Sequence, residues 1–227
     1  MIEEPKQLTL RAKFPRPTAA QIAAFKDVPT GFVCDAMDGV GGMETAISPL
    51  LDAHIAGCAV VGDNCSGGNL ATLGAVHVMQ EGDVVVVSLK GDQSVAAAGD
   101  MVLAMIRNKG GIGFVTDSPM RDLVGIQDVG LPAWCNGLNP NSPYANGPGR
   151  VGFDASVGGQ IVSSGDIIVA DIDGVVVVPH ARIDSVIAKL DAVRSAETAM
   201  EAKVISGFSE QSRIIQMLND GRAVMDD

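Results

Sequence analysis

Two pairs, Gly99-Asp100 and Arg121-Asp122, bracket the stretch "GDMVLAMIRNKGGIGFVTDSPMRD". The first pair precedes an apolar run that reads as a helix from about 100 to 108, closed by Gly110-Gly111; "IGFVTD" then reads as a strand, with a helix beginning near Arg121. A helix starting at Asp100 turns the unpaired N–H groups of residues 100–102 toward whatever lies ahead of it, and glycine lets a ligand approach the backbone. Such an end seats a carboxylate or phosphate, although Gly-Asp before a helix also serves as ordinary capping. At the other end Arg121 can clamp an anion with two hydrogen bonds and Asp122 offers hard oxygen ligands, while the same pair is also a common surface helix start. If helix and strand form one βα unit, both pairs reach the same edge of a sheet and can converge on a small anion with a divalent metal.

Oxygen donors without a His or Cys cluster favour Mg²⁺ or Mn²⁺ over zinc. His54, His77 and His180 stand alone, and Cys34, Cys58, Cys65 and Cys135 show no CxxC spacing, so reduced and mostly buried thiols are expected. The net charge of -11 comes with no basic stripe, which argues against a nucleic-acid partner; acidic charge of this kind also serves solubility. The opening "MIEEPKQLTLRAKFPRP" has no apolar signal core, and runs such as "IIVA" and "VVVV" fall far short of the ~20 residues of a membrane span. No membrane partner and a cytoplasmic location are the expectation.

The elements that must hold the two pairs follow a βα alternation. Thr18 is a plausible N-cap for a helix over 18–26 with Ile22 and Phe25 at helical spacing, and "TGFVCDAMDG" reads as a short helix stopped by Gly39. "HIAGCAVVGDN", "NLATLGAVHVM" and "GDVVVVSLKGD" then read as strand, helix and strand. Beyond residue 131, short strands divided by Gly, Pro, Asn and Asp predict a mostly β half. At 227 residues the chain fits a single domain over 1–227, with a core at about 28–180 and a helical extension at about 181–227.

That extension carries an anomaly. A long helix from "PHARIDSV" onward has an apolar stripe through Ile183, Val186, Ile187, Leu190, Val193 and Val204, and Glu197 and Glu201 fall in the middle of it. A buried carboxylate needs a cation or water opposite it. Either the helix end projects into solvent, or it leans on a neighbouring subunit and presents Glu197 to a cation.

The motifs "GDVVVV", "GDMVLA", "GFVTDSPMRD" and "GDIIVADIDGVVVVP", in this order, resemble those of the class II pyruvate aldolases acting on 4-hydroxy-4-methyl-2-oxoglutarate and 4-carboxy-4-hydroxy-2-oxoadipate, a family related to regulator of ribonuclease activity A. The resemblance covers about residues 28–205. It implies an α/β fold, an α/β/β sandwich with N-terminal helices and the long C-terminal helix at a subunit interface, assembled as a homotrimer or homohexamer. It implies Mg²⁺ or Mn²⁺ on Asp122 as the direct protein ligand, with Glu197 of a neighbouring subunit acting through a metal-bound water. Arg121 would hold the keto oxygen and carboxylate of a 2-oxo acid, the backbone of Gly99, Asp100, Met101 and Val102 would seat the pyruvyl carboxylate, and Asp100 would orient water. The implied reaction is aldol cleavage of a 4-hydroxy-2-oxo acid to pyruvate, with oxaloacetate decarboxylation through the same enolate. The alternative is a non-catalytic, protein-binding regulator of ribonuclease E, a branch that is generally shorter and lacks the Glu-bearing helix. Some members carry a methyltransferase label, but no glycine-rich cofactor loop follows the first strand here. Ser118 and Pro119 depart from the family pattern, as does Gly68-Asn69 in "CSGGNLATL", so the loop over the metal is expected to be shaped for a different substrate.

Overall fold

The computed structural model describes residues 6–226. The chain divides into two compact units, the first ending at Leu190 and the second beginning at Asp191.

The first unit opens with β1 (Leu8–Leu10), α1 (Ala19–Ala23) and α2 (Thr30–Ala36). Thr18 caps α1 in a reciprocal box: its hydroxyl accepts from the Gln21 N–H at 3.2 Å, and the Gln21 side chain accepts from the Thr18 N–H at 2.8 Å. A short strand, β2 (Ser48–Pro49), leads to the alternation β3 (Ile55–Asn64), α3 (Leu70–Val78), β4 (Asp83–Ser88), α4 (Asp100–Asn108), β5 (Gly113–Thr116), α5 (Leu123–Val129) and β6 (Ala133–Cys135). β3, β4, β5 and β6 pair in parallel, in that order. The later strands are β7 (Gly149–Val151), the hairpin β8 (Ala155–Val157) and β9 (Gln160–Val162), and the hairpin β10 (Ile167–Asp171) and β11 (Gly174–Val178).

The valine run of β4 explains the layering. All six of its residues are buried, as expected of a strand covered on both faces. Val85 and Val87 pack with Leu103, Ile106 and Ile126 from the helices, while Val84 and Val86 pack with Val157, Val162 and Ile168 from the β half. Helices, parallel sheet and a second β layer therefore stack as the α/β arrangement anticipated from the sequence.

The sequence pattern runs too far along the last helix. α6 (Ile183–Ile205) buries Ile183, Val186 and Leu190, but Val204 is exposed, and so are Glu197 and Glu201. The carboxylates thus meet water in the single chain. α7 (Ser212–Asn219) follows within the second unit, with Ile214 and Ile215 exposed. Among the described residues, no helix is long and apolar enough to cross a membrane.

Candidate active site

The carboxyl ends of β4 and β5 lie side by side, with Val87 in register with Thr116, and the chain leaving each is tied to the other by one buried carboxylate. Asp117 accepts from the Leu89 N–H at 2.8 Å, the Gly91 N–H at 3.1 Å and the Ser88 hydroxyl at 3.0 Å. A second anchor stands at the end of β3, where Asn64 accepts from the N–H groups of Ala71 and Thr72 and so caps α3. Asn69, the residue at the cap position, makes no side-chain cap bond.

From these anchors the loop after β4 runs alongside the segment after β5. The Ala97 N–H donates to the Pro119 carbonyl at 2.8 Å and the Arg121 N–H to the Ala98 carbonyl at 3.1 Å. This two-rung ladder delivers Gly99 next to Arg121 and Asp122. Asp122 sits at φ +63°, in the left-handed region, which delays the start of α5 to Leu123. A Cβ built on Gly99 would collide with Asp122 Oδ2, so only glycine leaves that carboxylate its place. In the same way, a Cβ on Gly125 of α5 would collide with the Asp100 carboxylate.

Gly99, Asp100, Met101, Val102, Arg121 and Asp122 are therefore brought together, at the sheet edge where open α/β folds bind their ligands. Arg121 is held twice: its Nε donates to Asp122 Oδ2 at 3.2 Å and its Nη1 to the Ser142 hydroxyl at 2.5 Å. Met101 is largely exposed, and Asp100 and Val102 are half-buried. The amides of the seat are less free than the sequence suggested. The Met101 N–H donates to the Asp100 carboxylate at 2.7 Å and the Val102 N–H to the Gly99 carbonyl at 3.1 Å. The acid at the helix start thus folds back onto its own dipole end. Glu197 belongs to the second unit, an exposed residue of α6.

A cavity of about 200 Å³ opens beside two members of this group, lined by Arg121, Asp122, Leu138, Asn139 and Pro140. Three of these residues come from the segment after β6, which the sequence reading treated only as a break between strands. Ser118 and Pro119 are both buried and are absent from the cavity lining. A larger cavity, about 700 Å³, lies at the opposite edge, beside the starts of β3 and β4 and the Arg16–Asp83 ion pair. Its size is no guide to the chemistry, since it contains none of the converging residues.

The donors fit a hard cation. Asp122 presents an exposed carboxylate beside a residue without a side chain, and among the described residues no three His, Cys, Asp or Glu side chains converge into a protein cage. Cys58 and Cys135 are buried, and burial pushes Cys58 up to about 12 and Cys135 up to about 11.

A family model described as RraA-like, Aldolase/RraA, matches residues 30–177, more than half of the chain. A protein of Halalkalibacterium halodurans, provisionally named a 4-hydroxy-4-methyl-2-oxoglutarate aldolase, is 34% identical over 184 residues, 81% of this chain and 88% of that one. A crystal structure from Streptomyces coelicolor, described as an unusual member of the RNase ES inhibitor RraA protein family, superposes with a TM-score of 0.70 at 26% identity, covering 87% of this chain and 100% of that one. An uncharacterized protein of Pseudomonas syringae shares the fold, with a TM-score of 0.74 at 22% identity over 87% of this chain and 97% of that one.

Proposed function

The chain belongs to the RraA-like, Aldolase/RraA family, and from that premise we propose that it cleaves a 4-hydroxy-2-oxo acid to pyruvate with a divalent cation, Mg²⁺ or Mn²⁺, and decarboxylates oxaloacetate through the same pyruvate enolate. The observation that carries this reading is the convergence of the Gly99-Asp100 helix start on Arg121 and Asp122, two residues that line one small cavity.

Asp122 would hold the cation, which when bound stabilises the negative charge building on the substrate's keto oxygen. Arg121 has two of its N–H groups committed to Asp122 and Ser142, which fixes the guanidinium plane and leaves its remaining donors for the keto oxygen and carboxylate of the substrate. The start of α4 seats the carboxylate, in the field where the Asp100 carboxylate now rests. Displaced from its own amide, Asp100 orients the water that returns a proton to carbon 3. In the cleavage the bond between carbons 3 and 4 breaks, its electron pair stays on carbon 3, and the 4-hydroxyl proton leaves as the carbonyl forms. Decarboxylation of oxaloacetate leaves the same electron pair on the same carbon. We further place the chain in the cytoplasm, as a homotrimer or homohexamer in which Glu197 of a neighbouring subunit supports the cation through water.

A second reading, a non-catalytic regulator that binds ribonuclease E, is favoured by the Streptomyces relative. All of that protein is matched by 87% of this chain, so it is the shorter of the two. The deciding experiment is pyruvate release from 4-hydroxy-4-methyl-2-oxoglutarate and from oxaloacetate with Mg²⁺ or EDTA, corrected for the metal-only background, with Asp122→Ala as control. Release that requires metal and Asp122 supports the enzyme. Asp122→Ala with full activity at saturating Mg²⁺ removes the metal assignment, and a folded wild type that releases nothing favours the regulator.

A further inference from the structure

The cavity of about 700 Å³ beside the starts of β3 and β4 has α1 as one wall. No residue of α1 is buried, and its fastenings are polar: the Thr18–Gln21 box at its start and the Gln21 side chain, which donates to the Asp184 carboxylate at 2.7 Å. The helix therefore spends its apolar side chains on the cavity instead of on the core, with Ile22 and Ala23 on one side and Ile55, Ala56 and Ile112 on the other. Volume and apolar walls both match small-molecule sites, which run to about 300–1,000 Å³.

The polar groups of the inner wall set the chemistry of an occupant. Asp83 is buried and accepts from Arg16 Nη1 at 2.7 Å, Arg16 Nη2 at 3.0 Å and the Gln80 N–H at 2.7 Å, so acid and guanidinium cancel. Cys58, also buried, is a neutral thiol. His54 is half-buried, and its Nε2 lies 2.7 Å from the Val28 carbonyl. A carbonyl only accepts, so Nε2 carries the proton and Nδ1 is an acceptor, one with no partner among the described residues. Lys26, Asp27 and Glu81 stand exposed at the rim, where water screens them. A charged head of either sign would exchange water for a wall whose charges cancel, which is costly, whereas a hydroxyl or amide N–H can donate to His54.

We propose that this cavity is a second ligand site, at the opposite sheet edge from Arg121 and Asp122, for an uncharged small molecule with an aliphatic body and one hydroxyl or N–H donor. The body packs against Ile22, Ile55 and Ile112, and the donor bonds to His54 Nδ1. The site stands whichever reaction, or none, takes place at the other edge.

The test uses the full-length protein in its assembled state and three probes that share one ring: cyclohexylmethanol, cyclohexanecarboxylate and cyclohexylmethylamine. Dissociation constants are read by saturation-transfer NMR of each probe. The alcohol should bind saturably with a constant on the order of 1 mM or below, and both charged probes at least about tenfold more weakly. Ala20 and Ala23 are both exposed residues of α1, but only Ala23 lines the cavity. Ala23→Phe should therefore weaken binding of the alcohol by at least about tenfold, while Ala20→Phe leaves it within about twofold. Absence of saturable binding to the assembled protein overturns the proposal. Equal or tighter binding of either charged probe overturns the ligand class. Binding to Ala23→Phe at wild-type strength, or equal loss in both variants, overturns the location.

Discussion

The carboxylate of Asp122 rests against the bare Cα of Gly99, in space that any side chain at position 99 would fill. The contact joins the end of the loop after β4 to the start of α5. It makes the position of the proposed metal ligand depend on the absence of an atom elsewhere.

Gly99→Ala tests that dependence. At φ −133° the backbone accepts alanine without strain, so the fold should survive. The added methyl meets Asp122 Oδ2 and lies 3.2 Å from Arg121 Cγ, displacing both groups at once. Metal-dependent pyruvate release should fall by about 10²-fold, the scale set by an ångström of misplacement at a reacting centre. The melting temperature should move by only a few degrees. Activity within twofold of wild type would mean that Asp122 is not held where the chemistry needs it.

Asp117→Ala probes the support beneath the site. The substitution leaves the Leu89 and Gly91 N–H groups and the Ser88 hydroxyl without their shared acceptor, at a cost of about 2–4 kcal/mol. For a chain of this size that corresponds to a fall in melting temperature of roughly 5–15 °C, read by calorimetry. Activity should fall too, since the same loop delivers Gly99. An unchanged melting temperature would show that water replaces the carboxylate at no cost.

Much of this was legible in the sequence because the signals are local. Thr18 with Gln21 marks a helix start, the valine run of β4 marks a strand buried on both faces, and the glycines around α4 mark its limits. That the stretches 99–102 and 121–122 would meet was legible for the same reason, as each pair sits at an element boundary. Ser142 and Leu138 were not. Their roles come from where a loop of Asn, Pro and Gly crosses another loop, and that crossing is set by long-range bonds such as Asn139 to Gln93.

The thiols give a pH prediction. Burial is the main cause that raises Cys58 to about 12 and Cys135 to about 11, because the thiolate cannot be solvated there. The folded values lie above the unfolded one, so the stability due to the buried neutral thiols is fully present below pH ~8.5 and is lost as the pH rises through 11 to 12. At pH 8 neither residue should react with iodoacetamide in the native protein, and both should react in guanidinium chloride, as peptide mass spectrometry would show. Prompt native labelling of Cys58 or Cys135 would contradict the buried assignment.

Glu197→Gln addresses the second unit on its own terms. Glu197 follows Val193 by four residues and Leu190 by seven, so it continues a face that is apolar nearer the core, yet it is exposed in the single chain. An acid on such a face is explained either by water or by a cation that only a neighbouring subunit can bring. Glutamine keeps the size and the helix propensity and removes the charge. If the carboxylate supports the cation of an adjoining site, the apparent affinity for Mg²⁺ should weaken and kcat should drop by about tenfold, with the oligomeric state by light scattering unchanged. If Mg²⁺ affinity and kcat both stay at wild-type values, Glu197 is a solvated helix residue and the neighbouring subunit contributes nothing through it.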